Sequence, residues 1–184
     1  MKDIMKIVIG VTGASGTIYA KRLLEAISND KKIEAHIIVS ETGKKVAEIE
    51  KTDLSGYPVI YEDNSNLEAG IASGSFLFDA MVIVPCSMKS IAQIANGYSD
   101  TLIARAADVC LKERRPLILV PRETPYSRVH LVNMLAAHDA GAVILPASPP
   151  FYTNPKTIEE LADMIVSRIL DHCKIEHDIG TRWK

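Results

Sequence analysis

The chain of 184 residues has few of the features that mark specialised classes of protein. No sign of charge dominates: 21 basic and 23 acidic residues leave a net charge of −2, which gives no support to a nucleic-acid partner. Any anion it binds must be met by local cations. There are only three cysteines (Cys86, Cys110 and Cys173), too scattered for a disulfide framework or a C-x-x-C site. The odd count fits a reducing compartment. No apolar run approaches the roughly 18 residues of a membrane span. The segment 1–6 is too short and polar for a secretory leader and leads directly into a strand. His36, His130, His138, His172 and His177 lack a ligand spacing such as H-x-x-x-H, so no metal site is expected. Repeats and linkers are missing too. These absences point to a cytoplasmic protein without a membrane span.

What is present is a regular alternation. Hydrophobic residues make up 47% of the chain, enough for one domain with a sizeable core. Short apolar runs at 6–12, 33–40, 80–85, 116–121 and 142–145 read as strands, with a weaker one at 58–61. Helical spacing follows most of them: Ala20, Leu23, Leu24 and Ile27 after the first, then 41–50, 87–96, 100–112, 127–139 and 158–173. Residues 64–78 combine a short helix with a Gly/Ser stretch. Nearly continuous apolar strands between helices imply a parallel sheet covered on both faces. The expected fold is therefore α/β, a doubly wound, mostly parallel open sheet in a Rossmann-like or flavodoxin-like three-layer sandwich. It fills one domain, 1–184, with 175–184 as a polar tail that carries Ile179 and Trp183.

Several motifs fall where such sheets bind ligands. The first turn, Gly10-Val11-Thr12-Gly13-Ala14-Ser15-Gly16, has small residues that let a ligand approach the backbone at a helix N-terminus. A tight strand–helix turn with Ser15 as N-cap explains it equally. Its spacing is not G-x-G-x-x-G, and the second strand ends in Ser40 rather than an acid, which favours a mononucleotide or flavin over a dinucleotide. In Pro85-Cys86-Ser87-Met88-Lys89-Ser90, two hydroxyls three apart either cap a helix or hold the polar edge of a ring. Cys86 reads as a small strand-end residue. Arg122-Glu123 follows a buried strand at the ligand-binding edge, as ligand contacts or as a structural ion pair. In Lys112-Glu113-Arg114-Arg115, cations at a helix C-terminus account for Arg114 and Arg115 and leave Lys112 open. Three prolines stiffen the loop 149–155, which either holds the Tyr152 hydroxyl toward a phosphate or serves as a rigid connector. On the last helix Ile158, Leu161, Ile165 and Arg168 share one stripe, so Arg168 is expected on the buried side. A buried guanidinium asks for an anion. A small phosphate is the simplest common cause of these cations.

Taken together, these runs resemble the flavin prenyltransferase (UbiX) family. The likeness is carried by VTGASG at 11–16, VPCSMKSIA at 84–92, RAADVCLKERRPLILVPRETP at 105–125, HLVNML at 130–135, GAVILPASPPFYTNP at 141–155 and RILDH at 168–172. It weakens only between about Thr52 and Phe78. The resemblance implies a metal-independent transfer of the dimethylallyl group of dimethylallyl monophosphate to N5 and C6 of reduced FMN. The product, prenylated FMN, serves UbiD-type decarboxylases. It also implies a homododecamer with active sites at subunit junctions. By the same resemblance Gly13, Ala14, Ser15, Ser40, Ser87, Met88, Lys89, Ser90 and Arg122 match flavin-binding positions. Lys112, Arg122, Tyr152 and Arg168 match the cradle of the prenyl phosphate. Ser15 and Glu50 match residues that move the N5 proton, with Glu48 an alternative to Glu50, and Glu123 matches the acid–base residue at the leaving phosphate. Ser15, Glu50, Glu123 and Lys112 form the expected catalytic set.

The residue types suit that chemistry. Three cations and a phenol can neutralise a departing phosphate, and a carboxyl pressed against it can return a proton. Water must be kept from the allyl cation. Two other classes use related folds. A flavin-dependent cysteine decarboxylase would carry a catalytic histidine after the first helix and a P-x-M-N-x-x-M-W loop, where this chain has PASPPFYTNP. A non-catalytic FMN-binding protein would leave Lys112, Glu123 and Arg168 without a task.

Overall fold

The computed structural model describes residues 4–180. Six parallel strands form one sheet: β1 (Met5–Val11), β2 (Ile33–Val39), β3 (Ile60–Glu62), β4 (Ala80–Cys86), β5 (Leu117–Pro121) and β6 (Val143–Ile144). Their spatial order is β3-β2-β1-β4-β5-β6. The chain thus winds outward in one direction, returns to the middle, and winds outward in the other. The reversal lies between β1 and β4.

The helices are α1 (Thr17–Ile27), α2 (Glu41–Ile49), α3 (Met88–Ala95), α4 (Leu102–Glu113), α5 (Arg128–Asp139) and α6 (Ile158–His172). Alternation along the strands assigns the two faces. Ile7, Ile9, Val11, Val82, Val84, Ile118 and Val120 pack against α1, α6 and Ala47 of α2. Val8, Met81, Ile83, Leu117 and Leu119 pack against α3, α4 and Ala137 of α5. β4 is buried at every position, as a central parallel strand requires. On the first face Arg22 of α1 reaches Asp163 of α6 through two bonds of 2.7 and 2.8 Å, a bidentate pair that aligns the two helices.

The structure departs from the expected elements in particular places. The third strand starts at Ile60, beyond Pro58, whose missing N–H cannot serve a ladder. Between 64 and 78 the expected short helix is a single 3₁₀ turn, Gly70–Ala72. That segment is ordered from outside: Arg105 Nε donates to the Ala72 carbonyl, and Arg115 donates to the carbonyls of Gly74 and Phe76. Ser15 is not the N-cap of α1. Gly16 holds that position in the left-handed region (φ 106°) with no side-chain cap of its own. Arg168 is not on the buried side of α6. The buried stripe is centred on Ala162, Ile165, Val166, Ile169 and Leu170, whereas Ile158 is 67% exposed. Arg168 stands on the border of that stripe, and its long stem carries the guanidinium out to pair with Asp171 at 2.8 Å. Its burial therefore supplies no argument for an anion. Of the polar tail, Ile175 and Ile179 pack on the first face, and Trp183 lies outside the described residues.

The reversal point is closed by one buried side chain. Thr12 Oγ1 donates to the Pro85 carbonyl at 2.9 Å and accepts from Ser87 N at 2.7 Å, so it joins the carboxyl ends of β1 and β4. Thr12→Val keeps the shape but strands Ser87 N, while the Pro85 carbonyl retains the Thr12 N–H at 3.2 Å. It should cost about 1–3 kcal/mol. Urea unfolding of the two proteins side by side checks this, and equal midpoints would show that the clasp is dispensable.

Candidate active site

A parallel sheet collects the N-termini of the following helices at its carboxyl edge. There α1, α2 and α3 turn their N-termini and positive dipole ends toward the crevice between β1 and β4. Ser40 caps α2 by accepting from Gly43 N at 3.0 Å, and Ser87 caps α3 by accepting from Ser90 N at 3.2 Å. The capping reading of Ser87 thus holds, and its hydroxyl also lies 3.0 Å from Ser90 Oγ. A cleft opens at this point, lined by the hydroxyls of Thr12, Ser40, Thr42, Ser87, Ser90 and Thr101, with Lys89, Asn64 and Gln93 at its sides. Its enclosed volume is about 70 Å³. Enclosed ligand pockets run to roughly 300–1,000 Å³, so a flavin here must extend over open surface. The wall of small residues is built closely: a Cβ on Gly13 would come within 2.6 Å of the Thr42 side chain. Hydroxyls, helix N-termini and a turn of small residues suit a flat polar ring with a phosphate tail.

The first turn is tied to its surroundings by two long-range partners. Arg122, just past the end of β5, donates from Nε to the Ser15 carbonyl at 3.1 Å. Arg122 thereby braces the first turn and is not the partner of Glu123, which accepts from Thr124 N at 3.0 Å and is exposed. Glu50, the residue after α2, stands in for the missing cap of α1. Its carboxylate accepts from Gly16 N at 2.8 Å, Thr17 N at 2.8 Å and Thr17 Oγ1 at 2.6 Å. The Ser15 hydroxyl bonds it as well. Burial pushes Glu50 toward the neutral acid, but the donors from Ser15, Thr17 and Gly16 outweigh it and hold the carboxyl below its ordinary range. Glu48 is exposed, so between the two acids the geometry selects Glu50 for contact with Ser15.

Most of the expected site residues meet at this edge: Gly13, Ala14, Ser15, Ser40, Glu50, the run 87–90, Arg122 and Glu123. Met88 is half-buried against the second core face. Tyr152 is exposed in the loop that leads into α6. Lys112 does not join them. It ends α4 and pairs with Glu113 before β5 begins, which puts it at the amino edge of the sheet. The five residues of β5 alone span roughly 16 Å between that edge and Arg122. Arg168 lies more than a turn past Asp163, down α6 toward the same far edge. One chain alone therefore does not gather Lys112, Arg122 and Arg168 around one oxyanion. Sequence spacing also missed Thr12, Thr17, Thr42 and Asn64. Thr12, Thr17 and Asn64 bond to partners distant in sequence, and Thr42 packs against Gly13, so no local pattern announces them.

Cys86 sits buried at the end of β4, and burial pushes its thiol far above the ordinary range, which removes it as a nucleophile. Among the described residues no group of three or more His, Cys, Asp or Glu side chains is arranged to hold a metal ion. No helix of the described residues is long and apolar enough to cross a membrane.

The family model for Flavoprotein matches residues 1–170. The flavin prenyltransferase UbiX of Thermoplasma acidophilum is 48% identical over 184 residues, covering 97% of this chain and all of that protein. Two solved structures superpose over 98% of the chain at 39% identity. One is a dodecameric FMN-dependent UbiX-like decarboxylase from Escherichia coli O157:H7, at a TM-score of 0.91 over 100% of its length. The other is AnUbiX (PadA1) in complex with FMN and dimethylallyl pyrophosphate, at 0.89 over 97%. The chain belongs to the Flavoprotein family and, within it, to the UbiX flavin prenyltransferases.

The lowered proton affinity of Glu50 has a sign that can be checked. A carboxylate held below its unfolded value stabilises the fold above that value, and this contribution is lost as pH falls through the folded one. Wild type should therefore lose its advantage over Glu50→Gln as the pH is taken from neutrality to below the ordinary glutamate range of about 4.3. Urea unfolding of both proteins across that window measures it; a gap independent of pH would mean the contacts do not depend on ionisation.

Proposed function

We propose that this protein is a flavin prenyltransferase that transfers the dimethylallyl group of dimethylallyl monophosphate to N5 and C6 of reduced FMN. The observation that carries the reading is 48% identity to a UbiX enzyme over that enzyme's whole length, together with the hydroxyl-lined crevice at the carboxyl edge. The prenylated FMN it makes serves UbiD-type decarboxylases. The word decarboxylase attached to some relatives then describes the partner's reaction. Buried free thiols at Cys86, Cys110 and Cys173 fit a cytoplasmic setting.

Reduced FMN, when bound, supplies the nucleophilic ring positions. The chain's own residues do the rest. Gly13, Ala14, Ser40 and the run 87–90 seat the flavin, with Arg122 at its edge. Ser15 and Glu50 take up the proton that leaves N5. Glu123 gives a proton to the departing phosphate as the carbon–oxygen bond breaks. Tyr152, Lys112 and Arg168 hold that phosphate and neutralise its charge without a metal. Holding both reactants in one orientation lowers the barrier further.

The division of cations between two sheet edges gives the site its architecture. Arg122 belongs to one copy, and Lys112 and Arg168 reach it from neighbours in a homododecamer. The apolar side chains that α5 presents to solvent, Val129, Leu131, Val132 and Leu135, give such an assembly surface to bury.

Anaerobic incubation with reduced FMN and dimethylallyl monophosphate should add one five-carbon prenyl unit to the flavin, read by mass spectrometry. An unchanged flavin mass would remove the activity. Arg122→Ala and Lys112→Ala should each be inactive alone and regain turnover when co-assembled, because some junctions then receive two intact contributions. Failure of the mixed assembly to recover would place both residues in one subunit's site.

A further inference from the structure

Thr17 is absent from the residues to which the family likeness gives a task, yet it is fully buried and spends its only hydroxyl proton on Glu50. The setting is unusual within this chain. α2, α3, α4, α5 and α6 each start at a Ser or Thr whose side chain accepts from the helix's own first turn. α1 has no such cap, and its first N–H groups reach across 33 or 34 residues to Glu50. Two backbone donors would satisfy that helix end by themselves. The Thr17 hydroxyl is a third, and at 2.6 Å it is the shortest contact the carboxylate makes. Thr17 N and Oγ1 both engage Oε2, while Gly16 N reaches Oε1 at 2.8 Å, so the carboxylate can neither swing nor rotate.

We infer that Thr17 is a positioning residue for prenyl transfer: its buried hydroxyl clamps Glu50 so that the carboxylate stays turned to Ser15 as the proton acceptor of the pair. This rests on the reading in which Ser15 and Glu50 carry the N5 proton. The balance is simple. The proton leaving N5 passes to Ser15 Oγ as the Ser15 proton passes to Glu50, and Thr17 keeps its own. Other titratable groups around the turn are Arg122 from the end of β5, Tyr19 on α1, and Glu48 and Lys51 beside Glu50. None of them is among the causes that set the proton affinity of Glu50, which are burial and the donors of Ser15, Thr17 and Gly16. Loss of the Thr17 hydroxyl must therefore raise that affinity and move the loss of function on acidification to higher pH.

The test compares Thr17→Val, which keeps the shape, with Thr17→Ser, which keeps the hydroxyl, in the full-length assembled protein. The first readout needs no flavin: the infrared carboxylate band of Glu50, isolated as the difference between each protein and its Glu50→Gln counterpart, followed against pH. The second is single-turnover prenylation of reduced FMN by dimethylallyl monophosphate over the same range. Thr17→Val should lose the band at higher pH than wild type. Its rate should fall roughly tenfold on the acid limb and recover toward alkaline pH. Thr17→Ser should follow wild type in both. An unmoved band in Thr17→Val, a rate loss equal at every pH, or a Ser variant as impaired as Val would each overturn the inference. Full turnover by Glu50→Gln would instead overturn the proton-carrying reading, and the positioning role with it, even if the infrared shift were found.

Discussion

The site depends on the junction between β1 and β4, where the winding of the sheet reverses. Two parallel strands that are neighbours in space but far apart in sequence must end in register there, or the crevice between them has no fixed shape. Thr12 sets that register with a hydroxyl that serves both strands at once, donating to the Pro85 carbonyl and accepting from Ser87 N. On one side of it the turn 13–16 leads into α1. On the other, Ser87 begins α3. The residues proposed to bind the flavin flank this clasp, and their hydroxyls and helix N-termini meet on either side of it.

A second constraint is the completion of α1. Its starting glycine allows a sharp turn close to a ligand but offers no side chain to cap the helix. Glu50 is recruited from the end of α2, and one carboxylate thus closes a helix and touches Ser15. A structural cap and a proton acceptor ask for the same thing, an ionised carboxylate fixed by several donors. Sharing that group links the stability of the first turn to the protonation state that the proposed chemistry needs.

Much of this could be read from the sequence, and the exceptions have physical causes. Strands β1, β2, β4 and β5 are buried on both faces and announce themselves as apolar runs. β3 has one short exposed edge to form, so its signal is weak and Pro58 displaces its start. The stretch 64–78 takes its order from Arg105 and Arg115, which no local pattern can reveal. Arg168 falls in one stripe with Ile158 and Leu161 by spacing alone, while the packed face of α6 is set further on by Ala162, Val166 and Ile169. The carboxyl-edge residues were legible because they directly follow strands. Glu50 and Thr17 depend on each other across 33 residues, and only the resemblance pointed to the first of them. Helical spacing leaves Lys112 open, and it cannot show that Lys112 lies at the far edge of the sheet from Arg122.

That separation exposes the central claim to one direct measurement: a crystal structure of the assembled protein with FMN and dimethylallyl monophosphate bound. The isoalloxazine should lie in the crevice between β1 and β4, against Ser87 to Ser90, with Ser15 at N5. The prenyl phosphate should be held between Arg122 of one copy and Lys112 and Arg168 of its neighbours. A flavin seated elsewhere, or Lys112 and Arg168 left in solvent far from the phosphate, would contradict the account.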